Sequence, residues 1–212
     1  MLGRVREARA DFAYVAERHP NNAAAQDDLG LADLRLGDIS RADAEFTAAI
    51  DADPSFVNAL VHHGLVLAQR GQIDTALGAF DRAHNLAPAD LDVLAMRARA
   101  YLAKHDLDRA EADYAAIRRK DRSSLEAMRG AGYVAFFRGD VAGAINRMST
   151  VLTRAPGDLR ALTVRAKAYD RLDDPTRRDA DLDAIQAGLV AQREAAAHGI
   201  RDPAHDPAAV TR

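Results

Sequence analysis

The sequence contains no cysteine and no tryptophan among its 212 residues. The absence of cysteine excludes disulfides, thiolate zinc sites, iron–sulfur clusters and cysteine nucleophiles. No apolar run approaches the roughly 18 residues that a membrane-spanning helix requires. The first residues, MLGRVREARADF, also lack the apolar stretch of a secretory signal. The lack of a long apolar run predicts no membrane insertion, and the lack of a signal favours the cytoplasm, with the periplasm left open if an upstream signal is missing.

Basic and acidic residues are nearly balanced in the sequence. Lys and Arg total 29, Asp and Glu total 32, and the formal net charge is −3. A dedicated nucleic-acid binder is normally clearly basic, so this balance predicts that nucleic acid is not a partner. A content of 48% hydrophobic and 29% charged residues is nevertheless that of a chain that folds.

A period of 34 residues runs through the chain in several independent columns, which indicates a repeat architecture. One column holds small residues and another holds large apolar residues. Two more hold glycine and proline, with His105 and Asp173 as exceptions in the glycine column. The four columns are Gly30, Gly64, Ala98, Gly132 and Ala166; Phe12, Phe46, Phe80, Tyr114, Met148 and Leu182; Gly3, Gly37, Gly71 and Gly139; and Pro20, Pro54, Pro88 and Pro156.

Each column has a physical reason within a helical hairpin. Apolar residues recur at helical spacing on two segments of every period. The glycine column lies between them, where a left-handed residue ends the first helix at low cost. Residues suited to N-caps precede the two helices of a period, and the proline column ends the second helix. These predicted caps are Asn22, Asp90, Ser124 and Asp158 for first helices and Asp38, Asp106, Asp140 and Asp174 for second helices.

The columns resemble the tetratricopeptide repeat, most closely from Leu29-Gly30 to Asp53-Pro54 and from Gly64 to Pro88. The resemblance covers roughly residues 3–190 and implies an all-α fold, a right-handed α-solenoid of stacked antiparallel helical hairpins. About five and a half repeats are expected. The divisions are 1–22 as the second helix of an incomplete N-terminal repeat, 23–56, 57–90, 91–124 and 125–158 as repeats one to four, 159–198 as an atypical fifth repeat with a capping helix, and 199–212 as a disordered tail.

Both ends depart from the family pattern. Arg178 stands where the fifth repeat should have a small alanine, which predicts a splayed last hairpin that caps the solenoid. At the other end the chain enters a repeat at Gly3, so Phe12 and Val15 would present an unmatched apolar face. This predicts either weak self-association through the N-terminal helix or a longer chain whose upstream sequence covers that face.

No catalytic constellation is present in the sequence. It contains no GxSxG, no HExxH, no phosphate-cradling glycine loop and no dinucleotide fingerprint. His62 and His63 are adjacent, and adjacent helical side chains point in different directions, so they do not chelate one ion without further ligands. We therefore expect no enzymatic activity, no metal and no cofactor.

The resemblance implies that the first helix of each hairpin lines a groove for an extended or helical peptide. Residues 1–90 have a net charge of −6 and residues 91–212 a net charge of +3, which favours an acidic peptide with apolar anchors on the later repeats. The predicted groove residues are Asn58, Val61, Leu65, Arg99, Leu102, Arg129, Tyr133, Phe136, Arg160 and Lys167.

Other interpretations remain open beside this scaffold function. Arginine is the general surface cation of this chain, and Phe136 or Phe137 would equally suit packing against a neighbouring helix. The chain would also suit a docking or regulatory segment of a larger enzyme or of a secretion or envelope assembly. RNA binding is suggested only by the basic run at residues 118–122, which lies where cations complement a helix C-terminus. The charged pattern that some chaperone co-factors of this family use to grip a C-terminal carboxylate is absent.

Overall fold

The computed structural model describes residues 2–197, which form eleven α-helices and no β-strand. The predicted disordered tail, residues 199–212, lies outside the described residues. The helices are α1 Leu2–Arg18, α2 Ala23–Leu36, α3 Ile39–Ala52, α4 Val57–Gln69, α5 Ile73–Leu86, α6 Leu91–Ala103, α7 Leu107–Lys120, α8 Leu125–Phe137, α9 Val141–Arg154, α10 Leu159–Asp170 and α11 Pro175–Ala197. No helix in this described part is long and apolar enough to cross a membrane.

The helices pack as hairpins in two compact units, unit 1 up to Arg122 and unit 2 from Ser123. In unit 1, α1 packs on α2, and the hairpins α2–α3, α4–α5 and α6–α7 stack in chain order. In unit 2, the hairpins α8–α9 and α10–α11 stack through α9 and α10. The predicted all-α fold of stacked helical hairpins is confirmed.

The turn inside each hairpin depends on one left-handed residue. Gly37, Gly71 and Gly139 have φ values of 83°, 77° and 84°. The two exceptions in the glycine column, His105 and Asp173, take the same conformation with φ values of 61° and 54°. A side chain in this region costs on the order of 1 kcal/mol, so the turn geometry is imposed by the packing of the two helices that it joins.

The predicted caps also form. Asp38, Asp106 and Asp140 each accept a hydrogen bond from the backbone N–H three residues later, at the start of α3, α7 and α9. Asn22 and Ser124 do the same for the first helices α2 and α8. Each bond satisfies a donor that the first turn of a helix leaves without an intrahelical partner.

The two helices of a hairpin approach closely where the small-residue column faces the large apolar column. A Cβ on Gly30 would lie 2.6 Å from the Phe46 ring, and one on Gly64 would lie 2.6 Å from the Phe80 ring. The Phe46 and Phe80 side chains are 0% and 1% exposed. The missing Cβ therefore makes the space that these rings occupy in the core.

Replacing Gly64 with alanine is expected to lower the free energy of unfolding by about 1–2 kcal/mol. The added methyl group would overpack the contact with Phe80, and this cost exceeds the higher helix propensity of alanine. The measurement is urea unfolding monitored by circular dichroism. Gly78→Ala is the matched control, because nothing lies within 4 Å of a Cβ at that exposed position of α5. The control should be neutral or stabilising, and Phe80→Leu should relieve the loss in the double variant. Equal effects of the two alanines would contradict this account of the contact.

Two buried ion pairs, which the sequence analysis missed, join the helices of the hairpins α6–α7 and α10–α11. Arg97 donates to Asp113 from Nε (2.9 Å) and Nη2 (2.7 Å), and Arg165 donates to Asp181 in the same way (2.9 and 2.6 Å). Asp113 and Asp181 are 5% and 4% exposed. The two pairs stand 68 residues apart, which is twice the repeat period, so a comparison of successive repeats does not reveal them.

Each of these arginines also reaches the second helix of the preceding hairpin. Nη1 of Arg97 donates to Asp81 on α5 (3.1 Å), and Nη1 of Arg165 donates to Ser149 on α9 (3.0 Å). One guanidinium thereby fixes the hairpin that carries it and the stacking of that hairpin on the previous one. The bidentate geometry suits arginine and no other side chain.

Removing one partner of such a pair should be costly. We expect Asp113→Asn to lower the free energy of unfolding by about 3 kcal/mol, because Arg97 would keep its buried charge with a weaker partner. The double variant Arg97→Met/Asp113→Leu should recover most of this loss. Asp74→Asn is the control, since it breaks the exposed ion pair with Lys104 and should cost less than about 1 kcal/mol. Thermal unfolding of the wild type and the three variants checks the order, and similar losses in Asp113→Asn and Asp74→Asn would refute it.

Candidate peptide-binding faces

The ten predicted groove residues divide between the two units. Five lie on α4 and α6 of unit 1, which contact each other, and five lie on α8 and α10 of unit 2, which also contact each other. We call Asn58, Val61, Leu65, Arg99 and Leu102 the α4–α6 face. We call Arg129, Tyr133, Phe137, Arg160 and Lys167 the α8–α10 face, in which Phe137 replaces the predicted Phe136 for the reason given below.

The structure corrects the interpretation of Phe136 as a groove contact. Its side chain is 8% exposed and belongs to the core cluster of unit 2. Arg171 covers the Phe136 ring, with Cζ 3.8 Å from the ring centroid, and donates from Nη1 to the Phe136 carbonyl oxygen (2.8 Å). The next residue, Phe137, is 43% exposed and touches the Phe136 ring edge-on. Phe137 is therefore the more accessible of the two phenylalanines.

Arg129 is the second predicted residue whose role changes. Its guanidinium forms ion pairs with Glu126 on the same helix and with Asp158, the N-cap of α10. Burial lowers the pKa of Arg129, but these two carboxylates outweigh burial and the net shift is upward. With a side chain only 14% exposed, Arg129 links α8 to α10 and has its charge compensated within the fold.

Tyr133 stands between this ion-pair network and the surface. It lies one helical turn after Arg129 and one before Phe137, so the three side chains share one side of α8. Burial raises the pKa of Tyr133, and the positive charges of Arg129 and Arg160 offset only part of the rise. The phenol is therefore neutral at physiological pH and offers one hydrogen-bonding hydroxyl.

Arg160 and Lys167 supply the uncompensated charge of the α8–α10 face. Both are exposed on α10, seven residues apart and hence on the same side of the helix. Neither forms an ion pair with any residue that the structure describes. Their charges remain available to a ligand, unlike that of Arg129.

The α4–α6 face has a different character. Leu65 is 37% exposed, Val61 and Leu102 are half-buried, and Asn58 is exposed. Arg99 is half-buried and its Nη1 lies 3.8 Å from the Met96 sulfur. This face is mainly apolar.

The adjacent histidines of α4 bind two different carboxylates of the preceding hairpin. His62 Nδ1 lies 2.7 Å from Asp27 Oδ1 on α2, and His63 Nε2 lies 3.3 Å from Asp43 Oδ1 on α3. Asp43 also pairs with Arg70. Within residues 2–197 no group of three or more His, Asp or Glu side chains is arranged to hold a metal ion.

Comparison with known proteins agrees with this architecture. The sequence model of the tetratricopeptide repeat matches residues 28–90 and 95–158, more than half of the chain. The chain belongs to the tetratricopeptide repeat family. The search of curated proteins finds no match.

Solved structures with the same fold are distant in sequence. A tetratricopeptide repeat protein from Parabacteroides merdae matches with a TM-score of 0.78 and 20% identity, over 88% of this chain and 74% of that one. The Cut9–Hcn1 hetero-tetramer of APC/C matches with a TM-score of 0.76 and 21% identity, over 90% of this chain but only 37% of that one. YrrB, described as a TPR protein with an unusual peptide-binding site, matches with a TM-score of 0.62 and 17% identity, over 86% and 97%.

The free energy of unfolding should fall at acid pH, because His63 is partly buried in the folded chain. Burial lowers its pKa below the usual 6.5, and Arg70 and Arg82 add to this against the opposing charge of Asp43. The unfolded chain then binds more protons than the folded one just below pH 6.5, so stability is complete above that pH and declines as the pH falls toward the folded-state pKa. His63→Gln should flatten this decline in urea unfolding between about pH 7 and pH 5, while the exposed His19→Gln should not. An unchanged slope in His63→Gln would contradict the assignment.

Proposed function

We propose that the chain is a non-catalytic interaction scaffold that binds a peptide or helical segment of a partner protein on the α8–α10 face. Membership of the tetratricopeptide repeat family supports the scaffold function. YrrB, a TPR protein with an unusual peptide-binding site, has the same fold, and its example supports a peptide as the ligand.

The observation that carries the proposal is the pair of uncompensated cations beside exposed aromatic surface. Arg160 and Lys167 attract carboxylates, and the guanidinium of Arg160 can bind one in bidentate geometry. Phe137 offers an apolar contact that is 43% exposed, and Tyr133 offers a hydroxyl. This combination suits an acidic segment with an apolar anchor, since aromatic and arginine side chains contribute most of the energy of many interfaces.

Arg129 has a supporting role in this proposal. Its ion pairs with Glu126 and Asp158 hold α8 against the start of α10 and so fix the spacing between Tyr133 and Arg160. The α4–α6 face supplies a second, apolar surface, on which Leu65 is the most exposed side chain for a partner's hydrophobic residues.

Binding of designed peptides tests the proposal. Three fluorescein-labelled peptides of equal length carry phenylalanine at the same positions, with glutamate, serine or lysine between them. The glutamate peptide should bind most tightly in fluorescence anisotropy, and its affinity should fall with added salt. Arg160→Glu/Lys167→Glu should weaken this binding at least roughly tenfold, because two attractive charges become repulsive.

The matched control is Arg118→Glu/Arg119→Glu, which makes the same change of net charge on two exposed residues of α7. This variant should keep the affinity of the wild type. Equal losses in both variants would mean that only net charge matters, and tighter binding of the serine or lysine peptide would refute an acidic ligand. Capture of partners from a lysate of the source cells, compared between the same variants, would then identify the natural ligand.

A further inference from the structure

Helix α11 exposes a large apolar residue at the position that the other second helices bury. Leu182 occupies the large apolar column, in which Phe46, Phe80, Tyr114 and Met148 are at most 2% exposed, yet Leu182 is 48% exposed. Leu189 and Val190 on the same helix are 39% and 41% exposed. Large apolar side chains concentrated on one helix face, rather than scattered singly, indicate an interaction surface.

These residues form a stripe with the spacing of a coiled-coil seam. The α11 stripe consists of Asp179, Leu182, Asp183, Gln186, Leu189, Val190 and Arg193, at intervals of three and four residues over two heptads. The α11 residues that pack within unit 2 form a different line. Asp181 is bound by Arg165, Ile185 packs on the core, and Gly188 lies against Leu159. The stripe faces away from α10, the one described helix that packs extensively on α11.

The charged residues at the two ends of the stripe favour a second copy of α11 as the partner, in antiparallel orientation. Asp179 and Asp183 lie near its beginning and Arg193 lies at its end. If a second copy of α11 packs antiparallel with Gln186 at the two-fold axis, Asp179 meets the opposite Arg193 and Leu182 meets the opposite Val190, while the exposed Asp183 lies opposite Leu189. A parallel pair would instead place each charged residue against its own copy, which is unfavourable. Asp179 is 58% exposed despite its 2.8 Å bond to Arg178, so a second cation can reach it.

We infer that the chain forms a two-fold symmetric dimer in which the α11 stripe packs antiparallel on the α11 stripe of a second copy. Such an isologous contact is closed, because the same patch serves on both copies and no surface remains for further addition. The contact uses neither the α8–α10 face nor α1, on which the sequence analysis placed a weak self-association through Phe12 and Val15.

Sedimentation equilibrium of the full chain from about 1 to 200 μM, a range that brackets weak interfaces, gives the first test. The expected mass rises from 22.9 kDa toward twice that value. Leu182→Lys/Leu189→Lys should leave a monomer throughout this range, with the helical content of the wild type in circular dichroism. Tyr14→Lys/Val15→Lys, which makes the same change on exposed residues of α1, should dimerise as the wild type does.

Charge reversal tests the antiparallel direction. Asp179→Arg and Arg193→Asp should each weaken the dimer roughly tenfold, because each puts like charges at two symmetry-related contacts. An equimolar mixture of these two variants should dimerise again, since every Asp or Arg at position 193 then meets its opposite at position 179.

Four results would overturn the inference. They are a monomer at all concentrations, a dimer unaffected by the α11 variants, a dimer lost with the α1 variant instead, and a mixture of charge variants that does not recover. One further result would assign the stripe to the chain's own C-terminal segment. In that case the chain is a monomer, and the new lysine of Leu182→Lys reacts with a lysine-directed label only after residues 198–212 are removed.

Discussion

The fold depends on the close approach of two helices at one position in each hairpin. Gly30 and Gly64 let the rings of Phe46 and Phe80 lie against the backbone of the first helix, in contacts that a single methyl group would block. Because the rings are at most 1% exposed, the contact closes the hairpin and buries the side chains on which the next hairpin packs. The left-handed turn depends on helix packing in the same way: His105 and Asp173, in α6–α7 and α10–α11, accept a conformation that suits glycine because the helices on either side are held together.

In hairpins with alanine in the small-residue column, an ion pair joins the two helices. In α6–α7 and α10–α11 the residues Ala98 and Ala166 replace glycine, and the preceding residues, Arg97 and Arg165, bind a buried aspartate of the second helix. The same arginines reach back to Asp81 and Ser149 on the previous hairpin. From α4–α5 onward, hairpins with a glycine against Phe80 or Met148 therefore alternate with hairpins that carry this ion pair, and the repeat of the structure is in this respect 68 residues rather than 34.

The sequence was sufficient to predict the helical hairpins, the caps and the turn residues, because each depends on a local pattern at a fixed spacing. It was not sufficient for Phe136 and Phe137, which are neighbours on a helix and both apolar. Only the packing of Arg171 on one ring shows which of them is buried. The buried ion pairs were not predicted from the sequence for another reason. Each pair joins residues 16 apart on different helices, and the repeat between the two pairs has Ala131 and Arg147 at the corresponding positions.

The same distinction decides which cations of unit 2 stay uncompensated. In unit 2, Arg165 and Arg129 are committed to carboxylates of the fold, and Arg171 covers a ring. Arg129 and Arg165 lie on first helices as Arg160 does, so residue type and position do not distinguish them in the sequence. Burial separates them, because a charge that leaves water must be paired within the fold, whereas an exposed one need not be. The positive charge that the α8–α10 face presents to solvent therefore comes from the cations that the fold leaves uncompensated, Arg160 and Lys167.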